Sequence, residues 1–358
     1  MTQSSAARET SEIPRLASVA CASPPVLLTQ EDAVALLDRR YGTLSRRTLA
    51  AMHKVFSHPS IRQRRFAVAY PEQPLDESPD DRVKRFTHWG VRMAHEASMR
   101  ALTKAGLTSE SISAVVVNTC TGYVCPGLST YLLEQLSLSP STRCFDLVGA
   151  GCGGAIPNLQ LASALTRLPR NEAVLSVSVE ICSATFQMGE DLGLIVSNAL
   201  FADGAAAAVI WNRPEGIELI DSQSLTAPQF REDIRYVHKG GQLHNQLSLN
   251  LPKTLAAEIP KVINPLLSRH GLRVCDIKHW AIHPGGDKVI AATKDALGLS
   301  EEQLRHTREI LAEYGNVSSA TVWFEMEKIL REGVAPGDWI VMLAAGAGLS
   351  VHAALLRA

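Results

Sequence analysis

The sequence predicts an α/β protein built from two similar halves. Nearly continuous apolar segments such as AVVVN, VLSVSV and AAAAVIW alternate with amphipathic segments of helical periodicity. Strands of this kind indicate sheets that helices cover on both faces. The same order of strand, glycine loop and helix also recurs about 165 residues further along the chain, as expected of an internal repeat.

Three pairs of segments carry the repeat. The pairs are SISAVVVN with VCDIKHWAI, GCGGAIPNLQ with GNVSSATVWF, and AVLSVSVE with WIVMLAAG. Any α/β chain contains several strand-loop-helix units, but nothing in that composition requires a constant spacing between copies. We therefore predict two α/β halves whose loops meet at a shared interface, where functional sites are expected.

The predicted boundaries follow from this repeat. Residues 1–20 are expected to form a flexible N-terminal tail, residues 21–215 the N-terminal half and residues 216–358 the C-terminal half. The first residues mix Arg and Glu and contain no apolar core of a signal peptide. The apolar stretch 340–356 is interrupted by glycines and polar residues, which favours two buried strands over a membrane span.

Charge and cysteine content exclude several classes of function. The formal net charge is −1, so no overall field favours nucleic acid or an anionic membrane, and we expect neither as a partner. Seven cysteines, an odd number, predict free thiols and a reducing, cytoplasmic location. Cys120 and Cys125 lack a second pair at zinc spacing, so no metal site is predicted.

A glycine-rich loop at Gly149, Gly151 and Gly154 follows one apolar run and precedes another. Its G-x-G-x-x-G spacing is compatible with a dinucleotide-binding oxidoreductase, with Glu180 ending the next strand. A thiol at the tip of the loop, where the pyrophosphate would approach, argues against that alternative.

The second interpretation is a nucleophile. Cys152 lies at a strand-to-helix turn, where backbone N–H groups and the helix dipole favour a thiolate. The repeat places His283 (HPGG) and Asn316 (GNVSSAT) on corresponding loops of the second half, so that they would face Cys152 across one cleft. Taken singly, the three could be a packed cysteine, a core histidine and a helix cap.

These motifs together resemble one family. GCGGA at Cys152, ALFADGAAAAVI, HPGG, GNVSSAT and GAGLSVHAALL resemble the type III polyketide synthases, the chalcone-synthase-like group of the thiolase superfamily, bacterial members included. The resemblance runs from SIRQRRF to the C-terminus. It implies a homodimer with a thiolase-like αβαβα fold, a CoA tunnel and a buried triad of Cys152, His283 and Asn316. Acyl-CoA starters and malonyl-CoA would be the substrates, without a cofactor.

Such a triad suits decarboxylative condensation. A Cys152 thiolate, paired with the His283 imidazole, would hold the acyl group covalently. Donors on His283 and Asn316 would stabilise the enolate that malonyl-CoA forms on losing carbon dioxide. Two alternatives of the same fold remain, a single-round 3-ketoacyl synthase and a non-catalytic acyl-binding protein. The GNVSSAT and HPGG loops favour the iterative enzyme.

The resemblance also assigns further residues. Phe201 matches an aromatic gatekeeper, and the second gatekeeping position of the family falls on Leu249, which would reshape the cavity. The cavity or the dimer interface would include Cys120, Cys125 and Cys182, while Glu180 would belong to a buried polar network. CoA would contact Arg62, Arg64, Arg65 and the backbone of Gly285 and Gly286.

Overall fold

The computed structural model describes residues 13–168 and 173–358. Within these ranges there are thirteen strands, β1 (Arg15–Ala22), β2 (Val26–Thr29), β3 (Gln63–Phe66), β4 (Ile112–Asn118), β5 (Arg143–Leu147), β6 (Ala173–Ile181), β7 (Asp203–Trp211), β8 (Ile217–Thr226), β9 (Ile234–Lys239), β10 (Gln242–Leu247), β11 (His279–Ile282), β12 (Trp339–Gly346) and β13 (Ser350–Arg357).

The described ranges also contain twelve α-helices. They are α1 (Gln30–Tyr41), α2 (Arg46–Phe56), α3 (Gln73–Asp76), α4 (Pro79–Ala105), α5 (Leu128–Gln135), α6 (Ala155–Leu165), α7 (Leu192–Leu200), α8 (Leu251–Glu258), α9 (Pro260–Ser268), α10 (Asp287–Leu297), α11 (Arg305–Tyr314) and α12 (Thr321–Glu332). Among the helices described, none is both long and apolar enough to cross a membrane.

Nine strands form one sheet in the order β11-β12-β13-β8-β1-β7-β6-β4-β5. From β1 outward, two antiparallel pairings, with β7 and then β6, are followed by a parallel pairing with β4. From β8 outward, β13, β12 and β11 repeat that sequence of pairings. Within the sheet, the two halves pair through two residue pairs between β1 and β8. The predicted α/β fold of two similar halves is confirmed.

The apolar cores arrange the helices in layers. The middle helices α6 and α12 share one core with strands of both halves. Helices α4 and α5 cover the outer face of the first half, and α8, α9 and α10 cover that of the second. Every residue of β6 and β7 is buried, because helices pack on both of their faces. The result is the five-layered αβαβα arrangement.

The predicted tail is wrong for its last residues. β1 begins at Arg15 and lies in the centre of the sheet, between β7 and β8. Val19 is buried, and the hydroxyl of Ser18 donates to the carbonyl of Ala101, so a polar side chain is accommodated in the core. Residues 1–12 of the predicted tail lie outside the described residues. The predicted boundary at 215/216 falls between β7 and β8.

The layer arrangement positions the predicted site. A 3-10 turn, Gly151–Gly153, precedes α6, and a second 3-10 turn, Ser318–Ala320, precedes α12. The two turns are in contact, because α6 and α12 are the equivalent helices of the two halves. The loop after β11 reaches the same region, where His283 lines one cavity with Cys152 and Asn316, and the N–H of His283 donates to the carbonyl of Leu343 on β12.

Candidate active site

The three residues of the predicted triad lie together. Cys152, His283 and Asn316 are all buried and line one cavity of about 30 Å³. Cys152 comes from the turn before α6, Asn316 from the loop between α11 and α12, and His283 from the end of β11. The repeat therefore predicted correctly that these loops converge.

The cysteine loop is held by the last glycine loop of the chain. Gly149 and Gly151 have positive φ angles of 95° and 56°, which glycine adopts without strain. A Cβ on Gly151 would lie 2.8 Å from the N of Ala347, and one on Gly346 would lie 2.0 Å from the O of Ala150. The glycines thus allow two backbones to approach closely. This contact occupies the tip of the loop, which argues further against the dinucleotide alternative.

Asn316 is fixed by its own backbone surroundings. Its N–H donates to Leu200 at 2.8 Å and its carbonyl accepts from Ala202 at 2.9 Å. The side-chain Oδ1 accepts from the N–H of Ser318 at 2.8 Å. The Nδ2 group is consequently the end of the carboxamide that remains available to a ligand.

Ser318 connects the thiol of Cys152 to that of Cys120. Its hydroxyl donates to the Sγ of Cys152 at 3.3 Å and lies 3.2 Å from the Sγ of Cys120. A positive φ of 49°, uncommon for a residue other than glycine, directs Ser318 toward both sulfurs. Sequence reasoning missed Ser318, although it stands two positions after Asn316 in the same motif.

Glu180 lies in a buried polar network behind the thiols. Its carboxylate accepts from the N–H of Cys120 at 3.0 Å, from the hydroxyl of Thr121 at 2.9 Å and from the hydroxyl of Ser319. Burial raises the pKa of Glu180, although these donors oppose the shift. Its contacts are to buried protein groups, in keeping with the buried polar network expected from the resemblance.

Burial shifts the pKa values of Cys152 and His283 in opposite directions. Burial raises the pKa of the Cys152 thiol to about 12 and lowers that of the His283 imidazole to about 4. A charge on Cys152 alone or on His283 alone is therefore unfavourable. The turn before α6 does not by itself lower the pKa of the thiol, which the sequence had suggested. Proton transfer from Sγ to the imidazole creates two opposite charges that offset each other's burial cost.

A larger cavity of about 780 Å³ adjoins the triad. Gly151 and Ala347 line it, whereas their neighbours Cys152 and Gly346 line the small cavity. The two glycine loops thus form the wall between the cavities. Cys120 also lines the large cavity, as expected, and Tyr236 on β9 lines it as well. Burial raises the pKa of Tyr236, which lies near Cys120 and Cys182 and was missed because the β9–β10 hairpin carries no motif.

The predicted gatekeepers fall in different places. Phe201, at the end of α7, bridges to Asn316 and lines both the triad cavity and a pocket of about 80 Å³. Cys182 lines that pocket too. Leu249, by contrast, is 76% exposed in the loop after β10, so its assignment as a gatekeeper is wrong. On β10, the buried residue that lines this pocket together with Phe201 is Asn245, four positions before Leu249.

Two of the three predicted CoA arginines are not at the site. Arg64 is buried, and its guanidinium donates to the carbonyls of Asn198 and Phe201 at 2.6 and 2.8 Å and to Gln30 at 3.0 Å. Arg65 lines a separate cleft with Tyr314. Successive residues of a strand point to opposite sides, so Arg64 and Arg65 of β3 do not act together.

The remaining predicted residues lie at the surface or at the cavity mouth. Arg62 is exposed and pairs with Glu313 at 3.4 Å. Cys125 is exposed, beside Pro126. Gly285 lines the triad cavity, and Gly286 has a φ of 112° at the N-terminal end of α10. A Cβ on Gly285 would lie 3.1 Å from the side chain of Val289, so the glycine keeps the backbone close to α10 beside His283.

Comparisons with known proteins agree with the fold and the motifs. A family model described as FAE1/Type III polyketide synthase-like protein matches residues 20–219. A second, described as Chalcone and stilbene synthases, C-terminal domain, matches residues 222–358. Together the two matches cover nearly all of the chain.

Individual relatives cover most of the chain. A 3,5-dihydroxyphenylacetyl-CoA synthase of Amycolatopsis balhimycina is 30% identical over 97% of this chain and 93% of that protein. A 1,3,6,8-tetrahydroxynaphthalene synthase of Streptomyces peucetius subsp. caesius is 33% identical, covering 75% of this chain and 73% of that protein. The crystal structure of the 1,3,6,8-tetrahydroxynaphthalene synthase of Streptomyces coelicolor A3(2) superposes with a TM-score of 0.89 at 25% identity, over 96% of this chain and 99% of that chain.

The fold, the motifs and the family matches agree over both halves of the chain. The chain therefore belongs to the type III polyketide synthases, chalcone-synthase-like acyltransferases that condense thioesters with loss of carbon dioxide.

Proposed function

We propose that the chain loads an acyl-CoA starter on Cys152 and extends it repeatedly with malonyl-CoA before cyclisation or release. The observation that carries this proposal is the convergence of Cys152, His283 and Asn316 on one cavity, next to a cavity of about 780 Å³. The small cavity suits the reacting thioester, and the large one has room for a growing chain.

In the loading step His283 accepts the proton of the Cys152 thiol. Sγ attacks the thioester carbonyl of the starter, the bond to CoA breaks, CoA leaves as the thiolate, and the proton stays on Nε2 of His283. The N–H of Cys152 and the hydroxyl of Ser318 support the negative sulfur before attack. Burial of His283 Nδ1 leaves Nε2 to face the cavity.

In the extension step the carboxylate of malonyl-CoA leaves as carbon dioxide. The electron pair of the broken bond forms an enolate, whose oxygen is held by His283 Nε2–H and Asn316 Nδ2–H. The enolate carbon attacks the acyl carbonyl on Cys152, the bond to Sγ breaks, and the chain now resides on CoA. Return of the chain to Cys152 allows the next round. These steps use only the chain and two thioesters, so we propose that no metal or redox cofactor takes part.

We propose that pantetheine runs along Gly285 and Gly286, where Gly285 already borders the triad cavity. Arg62 remains the arginine available for CoA phosphates, since it is exposed. His58 lies 4.0 Å from Asp287 at the same end of α10 and adds a second surface cation when protonated.

We further propose a homodimer in the cytoplasm. β5 is an edge strand, and Val148 and Tyr123 beside it are 61% and 76% exposed. Both line the open side of the large cavity, which a second copy would cover. The cysteines are free, in keeping with a reducing compartment.

Mass spectrometry of the intact protein tests the proposal. Incubation with starter CoA thioesters should add one acyl group to the wild type and none to Cys152→Ala. Asn316→Ala should still load but should decarboxylate malonyl-CoA about a hundredfold more slowly, because one oxyanion donor is lost. Products that gain several two-carbon units support iteration. Gain of a single unit, or loading that persists in Cys152→Ala, contradicts the proposal.

A further inference from the structure

Glu325 is a buried carboxyl group that the proposed chemistry does not use. It lies on the middle helix α12 and is 0% exposed. Its Oε2 accepts hydrogen bonds from the N–H of Ile282 at 2.7 Å and from the hydroxyl of Thr307 at 2.6 Å. Burial raises the pKa of Glu325 well above its ordinary value, which favours the neutral acid.

The N–H of Ile282 reaches Glu325 because β11 is an edge strand. The following N–H, of His283, donates to Leu343 on β12 at 2.8 Å, and successive N–H groups of a strand point to opposite sides. In the first half the equivalent strand β4 pairs on its outer side with β5. Across the described ranges the second half has no such strand beside β11. Glu325 satisfies a buried donor that a neighbouring strand would otherwise bind.

The same carboxyl group joins the segments that carry both proposed oxyanion donors. Ile282 directly precedes His283. Thr307 lies on α11, the helix that ends just before the loop of Asn316, and α12 follows that loop. We propose that Glu325 is a positioning residue, which holds β11, α11 and α12 so that His283 and Asn316 point at one enolate oxygen. The inference rests on the proposed function of those two residues.

Two conservative variants separate the effect of the length of the Glu325 side chain from the effect of its carboxyl group. Glu325→Gln keeps the side-chain length and an acceptor oxygen, whereas Glu325→Asp keeps the carboxyl group but is one methylene too short to hold both donors. The measurements are kcat and KM for malonyl-CoA decarboxylation, together with Tm. We expect Glu325→Gln to stay within about twofold of wild type, and Glu325→Asp to lose about tenfold in kcat at nearly unchanged KM, because small misplacements of catalytic groups are costly.

Matched variants complete the test. Met326→Leu alters the neighbouring, fully buried residue of α12 and should leave kcat unchanged. Thr307→Val removes one of the two donors and should lower kcat by less than Glu325→Asp does. Wild-type kcat in Glu325→Asp, or an equal loss in Glu325→Gln, would overturn the inference. Should Glu325→Asp fail to fold, an unchanged kcat in Thr307→Val would reject it. If the wild type itself does not decarboxylate malonyl-CoA, the proposed function fails instead.

Discussion

At the residue scale, the proposed chemistry couples the charges of Cys152 and His283. Each is buried, and each alone favours its neutral form, with pKa values of about 12 and about 4. A thiolate beside an imidazolium carries no net charge, so proton transfer between the two would cost less than charging either group alone. In this proposal the reactivity of Cys152 depends on His283, more than a hundred positions later in the sequence.

The pH dependence of alkylation should reveal this coupling. In wild type, iodoacetamide should modify Cys152 at neutral pH with a rate that changes little up to mildly alkaline pH. In His283→Ala the thiol keeps its pKa of about 12, so the rate should rise about tenfold per pH unit below that value. Peptide mass spectrometry follows each site, with the exposed thiols of Cys125 and Cys275 as internal references. Identical profiles for the two proteins would show that His283 does not accept the proton.

The sequence predicted the triad because each member stands in a loop motif and the repeat brings those loops together. Leu249 was misplaced because the sequence alone does not show which residue around β10 shares a pocket with Phe201, since this depends on the pairing of β9 with β10. Ser318 and Glu325 could not be identified, since their roles depend on contacts with residues distant in sequence.

At the element scale, the short strand β3 supports the site through Arg64. Its side chain binds the last turn of α7 and the carbonyl of Phe201, next to Asn316. Burial lowers the pKa of Arg64 to about 9, so the guanidinium remains charged at neutral pH. The rings of Phe56 and Phe66 lie within 5.6 Å of its charge.

Replacing Arg64 should therefore affect stability before it affects CoA binding. Arg64→Met leaves buried carbonyls without donors and should lower the free energy of unfolding by about 3 kcal/mol. Chemical denaturation and CoA-thioester kinetics measure the two effects. Arg62→Met, at the exposed position, should raise KM with little change in stability. A raised KM with unchanged stability in Arg64→Met would instead restore its predicted role in CoA binding.

Element prediction succeeded where both faces of a strand are apolar, as in β6 and β7. It failed for β1, whose segment RLASVACA contains small and polar residues. That segment becomes a central strand through its pairing with β7 and β8 and through the hydrogen bond to the carbonyl of Ala101. A local sequence pattern does not contain this information.

At the scale of the whole molecule, the open side of the large cavity should lie at the proposed dimer interface. Val148→Glu puts a charge on that apolar surface and should shift the protein toward monomer, as measured by light scattering after size exclusion. The condensing activity should fall as the dimer dissociates. Leu249→Glu is the matched control, because Leu249 is equally accessible but lines none of the cavities described. A Val148→Glu protein that remains fully dimeric would contradict this interface.

The central place of β1 has a consequence for biosynthesis. Among the strands described, β1 is synthesised before the others, yet it pairs with β7, which is translated about 190 residues later. At ordinary elongation rates that interval lasts about 10–40 s. Over that interval β1 has no partner strand in the sheet, and the middle of the sheet closes only after β7 has been synthesised.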